Sequence, residues 1–540
     1  MKKVYLSFAT LALCSALNAQ NGFWEKTTYR GAFPVTDNTP ATDWTHGWSN
    51  FDPQNTTYGT PTQTVSSNIT SNTTWSGIIK LENKVYVKNG ATLTIEPGTI
   101  IRGDKATEGS LIITKGSKII AKGTASSPIV FTSNEAAGSR AEGDWGGLVI
   151  LGKAKNNQPG GVSNIEGIAP STDTEFGGND DNDNSGILQY IRVEFAGIAL
   201  QPNKEINGIT FGSVGKETTV DHLQVSFSGD DSFEWFGGNV DCKYLISYRG
   251  IDDDFDTDFG YSGRIQFGLI IRDKDMSDAA GDSNAFESDN DANGSESNPK
   301  TSAVFSNITI VGPKGDGSIT LPAGEKFEKA FRIRRSSSIS VFNTLVTGWE
   351  KGLSIEGATT ESNFTNNKAF FSNNLLVGLA PGTNFVTASQ AFYGPIYVNQ
   401  NNDSTKTVSA VNWVNLFPNL GTKPDARLNT NSTAATGASF TNSIFGNDFL
   451  AADDIEAISN LEVFPNPNNG NFFIRLDAQV ADNISVAIYD LAGKKVYSTE
   501  NPLFEGSNTL TINTQELTAG IYQVIINDTK SSKTVKIAVH

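Results

Sequence analysis

The residues best placed to do chemistry in this chain are carboxylates that recur at a fixed offset. Asp230-Asp231-Ser232-Phe233-Glu234 returns 22 residues later as Asp252-Asp253-Asp254-Phe255-Asp256. A third copy follows an insertion, with Ala285-Phe286-Glu287-Ser288-Asp289 aligning on Asp254-Phe255-Asp256-Thr257-Asp258. If the copies occupy neighbouring parallel strands, about 4.8 Å apart, then Glu234, Asp256 and Glu287 form one row. Two carboxylates at that distance repel by about 3 kcal/mol even at an effective dielectric near ~20. The row therefore needs protonation, a bound cation, or side chains splayed into solvent. A fourth copy, Ala330-Phe331-Arg332-Ile333-Arg334, has arginines where the acids stood, so a Glu287 to Arg332 ion pair would close the row. Three chemistries stay open: a structural ion ladder, a calcium site and a catalytic acid cluster.

Two loops add oxygen ligands at alternate positions followed by a glycine, as calcium loops require: Asp289-x-Asp291-x-Asn293-Gly294 and Asp181-x-Asp183-x-Ser185-Gly186. Their twelfth positions are Lys300 and Arg192, which excludes an EF-hand, and metal-free Asx turns explain the pattern equally well. The candidate calcium ligands are thus Asp230, Asp231, Glu234, Asp252, Asp253, Asp256, Asp258 and Glu287 from the rows, with Asp289, Asp291, Asn293, Asp181 and Asp183 from the loops. The chain has no Cys/His metal pattern, phosphate-cradling glycine loop or serine nucleophile elbow.

The elements that must position these side chains follow from periodicity. Leu93, Leu111 and Ile129 stand 18 apart, Ile95, Ile113 and Phe131 keep the same step, and Leu148 with Ile150 continues it at 19. Within each unit apolar residues alternate, as in Leu93-Thr94-Ile95, the period of a strand with one buried face. Strand alternation nested in a coil of about twenty residues predicts an all-β parallel β-helix whose coils stack into one core. The reading divides the chain into a signal peptide (1–19), an N-terminal arm or cap (20–75), the β-helix (76–446), an acidic linker (447–458) and a small C-terminal β-sandwich (459–540). Insertions 154–186 and 273–300 are expected to loop outward, and the cluster Trp44, His46 and Trp48 to cover an open end of the core.

Lys2 and Lys3, an apolar run and Ala19 form the pattern of a secretory signal. Leu13 before Cys14 argues against lipidation, and Cys242 between Val240 and Leu245 reads as a buried hydrophobe. No later stretch reaches the ~18 apolar residues of a membrane span. The net charge of −17 argues against nucleic acid and anionic lipid as partners.

The runs Val463-Phe464-Pro465-Asn466-Pro467 with Gly470, Ile488-Tyr489-Asp490-Leu491-Ala492-Gly493-Lys494-Lys495-Val496 and Leu517-Thr518-Ala519-Gly520-Ile521-Tyr522 resemble the type A C-terminal sorting domain of type IX secretion cargo. That resemblance implies a Bacteroidota-type Gram-negative host, recognition of 459–540 by the outer-membrane translocon, and a secreted or surface-attached product with surface lipopolysaccharide as a possible anchor. The central region resembles pectin-lyase-like right-handed parallel β-helix proteins. That fold hosts pectate lyases and polygalacturonases, so an enzyme must be weighed. Gly229-Asp230-Asp231 is similar to the paired acids of a polygalacturonase, but no Gly-His-Gly follows. A lyase needs calcium and an Arg or Lys base, for which Arg264, Arg272 and Lys274 are near in sequence. The combined expectation is a calcium-stabilised surface protein acting in glycan or matrix binding, adhesion or coat structure, with a calcium-dependent polysaccharide lyase or glycosidase as the alternative.

Overall fold

Apolar residues at every second position make one face of each short strand insoluble, and stacking those faces on the next coil is what buries them. In Lys84–Val87 and Thr92–Ile95 the buried residues are Val85, Val87, Leu93 and Ile95, each at most 1% exposed. The computed structural model describes residues 22–36, 42–201, 204–279, 281, 283–315, 317–379, 385–387, 393–416, 423–434, 436–446, 448, 458–478, 482–490, 494–503, 506–514, 517–527 and 532–540. The expected signal segment 1–19 and nearly all of the linker 447–458 lie outside the described residues. Among the described residues no helix is long and apolar enough to cross a membrane.

The chain forms two compact units, Thr27–Ser439 and a second made of Phe440–His540 with the chain's start up to Lys26. In the first, parallel ladders build a sixteen-stranded and a ten-stranded sheet. One core column of the ten-stranded sheet runs Val85, Leu111, Leu148, Ile209, Phe233, Phe255, Phe286, Phe331, Leu353 and Phe385, each paired with the next. A column of the other sheet runs Ile191, Leu223, Leu245, Gly268 and Ile308. This is the parallel β-helix that the alternation predicts.

The 18-residue step is not its stacking period. Leu93 pairs with Ile119 in the sixteen-stranded sheet, whereas Leu111 pairs with Val85 and Leu148 in the ten-stranded one. The step skips one strand, Ile100–Gly103 between Leu93 and Leu111 and Lys118–Lys122 between Leu111 and Ile129, and so falls one strand short of a full coil. Full coils take 26 residues for Leu93 to Ile119 and 22 for Ile78 to Ile100.

The tryptophan cluster does not cover an open end. Trp48, 1% exposed, packs with Ile246, Tyr248, Leu269, Ile271 and Val311 along the outer side of the sixteen-stranded sheet. The reason lies in those strands, whose outward positions are apolar and need cover. Polar ties fix the arm there: the Ala32 N–H donates to Thr309 Oγ1 at 2.8 Å, the Asn50 N–H to Gln224 Oε1 at 2.9 Å, and Arg192 to the Trp48 carbonyl at 2.8 Å.

The second unit holds a small antiparallel sandwich. Ile458–Phe464, Asn471–Ala478 and Gly506–Asn513 form one sheet; Lys495–Leu503, Asp482–Tyr489, Gly520–Asn527 and Ser532–Val539 form the other. Phe472, Ile474, Val486, Ile488, Ile512, Val524 and Ile526 fill the space between. The Asn-Pro motif has a structural job: Asn466 donates to the Lys536 carbonyl and accepts from the Ala538 N–H, each at 2.9 Å, clamping the last strand.

Candidate functional site

Register places the acidic copies as their sequence alignment predicts. Glu234 pairs with Asp256, Asp256 with Glu287, and Glu287 with Arg332. Because Phe233, Phe255, Phe286 and Phe331 face the core, these alternate residues project from the outer face of the ten-stranded sheet. The preceding residues add a second tier. Asp231 Oδ1 accepts the Asp253 N–H at 2.9 Å, and Asp253 Oδ1 accepts the Asn284 N–H at 2.6 Å.

Two groups of carboxylates come together. Oxygen atoms of Asp230, Asp231 and Asp252 lie within 4.8 Å of one another, and so do those of Asp231, Glu234 and Asp256. Asp231 belongs to both, so the two triads are continuous. Asp231 and Glu234 are buried, at 8% and 7% exposure, while Asp230, Asp252 and Asp256 are half-buried. Burial first, and the neighbouring carboxylates second, push Asp231, Glu234, Asp253 and Asp256 well above the ordinary carboxylate range. Asp258, on the same face, is raised by burial as well.

Burial comes partly from a segment expected to loop outward. Residues 154–186 fold back instead, through a hairpin of Val162–Asn164 and Glu175–Gly177, because Ile165 and Phe176 bury themselves on Ile112, Val149, Leu151 and Phe236. Asn207, which the sequence reading missed, also covers the row. It is 4% exposed, its amide donates to Glu234, and its Oδ1 has no donor among the described residues. Asp256 Oδ1 is likewise buried without a donor. The one signal for Asn207 was its place three residues before Thr210, the rung that precedes Glu234.

The remaining candidates go elsewhere. Glu287 is met by Arg332 at 3.3 Å and by Arg334, so the expected closing ion pair is present and extended. Asp289 is held by Arg334 at 2.9 Å and Arg335 at 2.5 Å. Asp291 accepts from the N–H groups of Asn293 and Ser295, an Asx turn in which Asn293 supplies backbone only. Against the effect of burial, the Ser295 hydroxyl first and those two N–H groups second hold Asp291 below its ordinary range. Asp181 pairs with Lys155, and Asp183 accepts from Ser185 at 3.1 Å. Neither loop gathers its acids around a common point among the described residues.

The basic residues near the acids in sequence pair with carboxylates outside the two triads. Arg272 is wholly buried, donating to Asp254 at 2.8 Å and to the Gly250 carbonyl at 2.8 Å, which shapes the turn that carries Asp252. Arg264 is spent on Asp241 and Lys274 on Asp275. His222 lies on the other sheet, stacked between Tyr190 and Tyr244 at 4.4 Å from each. Cys242 is buried, as its neighbours imply.

Residues 63–415 match the profile of the family described as the pectate-lyase-like β-helix domain, and residues 462–540 that of the secretion system C-terminal sorting domain. No curated protein matches the chain. Among solved structures, the enzymatically active domain of tailspike protein 2 from bacteriophage CBA120 matches at 11% identity over 86% of this chain and 72% of that one, with a TM-score of 0.27. The full-length tailspike protein 2 of an Escherichia coli O157:H7 bacteriophage matches at 12% identity over 86% of this chain and 64% of that one, also at 0.27.

Proposed function

The chain belongs to the pectate-lyase-like β-helix family and carries a C-terminal sorting domain for secretion, and from that premise we propose that it acts outside the cell as a glycan- or matrix-binding surface protein organised by calcium. The observation that carries this reading is the pair of carboxylate triads sharing Asp231. Carboxylates gathered within 4.8 Å of one another, with Asp231 and Glu234 buried, are relieved of their mutual repulsion either by protons or by a hard cation with oxygen ligands. The second solution leaves a charged, rigid face at neutral pH. Asp230, Asp231, Glu234, Asp252 and Asp256 would hold the ion, with the Asn207 carbonyl oxygen within reach of the same group through Glu234. Bound calcium would supply charge neutralisation and an open coordination position for ligand oxygens.

Asp253, Asp258 and Glu287 would act as the surrounding anionic shell, and the loop residues Asp181, Asp183, Asp289, Asp291 and Asn293 as local turn formers. A calcium titration of the mature protein, followed by calorimetry and by thermal melting in chelator, tests the proposal. Saturable binding with a raised melting temperature supports it, and an unchanged melt with no heat of binding refutes it. The raised carboxyls also keep a second reading in play. Glu234 and Asp256, whose carboxyls burial and neighbouring acids push well above the ordinary range, have the character of general acids in a glycosidase or lyase. Release of reducing or unsaturated ends from uronate polymers would favour that reading over binding alone.

A further inference from the structure

A cavity of about 710 Å³ opens on a different part of the β-helical unit, between the segment that follows the strand Val304–Val311 and residues 408–416. We propose that it is a binding site for an uncharged sugar. Its volume lies within the ~300–1,000 Å³ of small-molecule sites. Among the described residues that line it none carries a charge, so nothing there selects an anion, a cation or a metal.

What the lining does offer is the chemistry of a polyhydroxylated ring. Ser318, Ser409 and Asn415 are exposed and contribute hydroxyl and amide groups that both donate and accept. Trp413 and the buried Leu416 contribute apolar surface for the C–H face of a sugar. The Asn412 side chain, half-buried beside Trp413, adds a further amide to the same lining. The wall is fixed before any ligand arrives: the Asn429 amide donates to the Trp413 carbonyl at 3.1 Å and to Asn412 Oδ1 at 3.3 Å, holding the strand Trp413–Asn415 against Asp425–Asn429. Pre-ordered aromatic and amide groups around a neutral cavity are what lowers the entropic cost of capturing a small polar ring.

This site does not depend on the acidic face. Calorimetric titration of the whole mature protein with cellobiose, maltose and lactose, each up to about 10 mM, tests it directly. Saturable binding of at least one is expected, unchanged by chelator and flat from about pH 5.5 to 8, since no side chain lining the cavity among the described residues titrates there. Ser409→Trp places a bulky ring at an exposed lining position that folding tolerates, and it should weaken binding about tenfold or more; Asn415→Ala, which removes an exposed lining amide, should weaken it by a smaller factor. Absence of saturable binding to all three sugars overturns the proposal, as does binding that survives Ser409→Trp or is abolished by chelator. Loss of calcium binding with sugar binding intact would count against the acidic face alone.

Discussion

Asp256 and Glu287 are neighbours in one ladder, yet their charges are met in opposite ways. Glu287 sits under Arg332 and Arg334, while one rung earlier Asp256 has an oxygen with no donor among the described residues and faces Glu234. Backbone register is the same at both rungs, and so is the alternation that turns these side chains outward. The difference teaches that a solenoid copies geometry from coil to coil without copying charge balance. Where the next coil supplies arginines the acid is structural. Where it supplies another acid, burial and like charge raise the carboxyls together, which is the setting of the calcium site proposed above.

The arginine end should respond most strongly to mutation. Arg334→Met strips Glu287 and Asp289 of a mostly buried partner, and a loss of about 3 kcal/mol in denaturant unfolding is expected. A loss under about 1 kcal/mol would erase the contrast between the two rungs. Calcium removal acts on the other end. At a calcium concentration about 100-fold above Kd the bound form gains roughly 2.7 kcal/mol, so chelator should lower the melting temperature by a few degrees.

The pH dependence sharpens that comparison. Asp231, Glu234, Asp253 and Asp256 have raised folded-state values, so without calcium the folded state binds more protons than the unfolded one. Their stability contribution is complete below the unfolded carboxylate range and is lost as pH rises through the raised values. In chelator, stability should therefore fall as pH rises above the ordinary carboxylate range, and the calcium-induced gain should grow in the same direction as the ligands deprotonate.

A smaller effect of opposite sign is expected from Glu234→Gln. In chelator it should stabilise the protein by about 1 kcal/mol by removing one repelling charge, while weakening calcium binding at least about tenfold. A uniform destabilisation with unchanged calcium affinity would mean that Glu234 is a packing residue. The smallest change is expected from Asp291→Asn, which keeps the Asx turn: stability within about 0.5 kcal/mol and calcium affinity unaltered.

Much of this was legible in the sequence because two periodicities reinforce each other. The Phe233, Phe255, Phe286 and Phe331 spacing fixed which coil positions align, and with it the Glu234, Asp256, Glu287 and Arg332 row. The sorting sandwich was readable from its turn motifs, where Asn466 must grip the last strand. The 18-residue step misled because similar apolar pairs occur on every wall of a coil, and spacing alone does not say which wall. The path of residues 154–186 was hidden for a different reason. Ile165 and Phe176 are single apolar residues in a polar stretch, and their burial depends on an outer sheet face that only the folded coils create. Asn207 escaped notice because one buried amide carries no period at all.

The most direct test is a crystal of the mature protein grown with calcium, measured for anomalous scattering after exchange with a heavier lanthanide ion. A peak bounded by Asp231, Glu234 and Asp256, with oxygen ligands at about 2.4 Å, is the predicted result. A map with no peak among these carboxylates, or with its only peak at the 289–293 loop, would contradict the account.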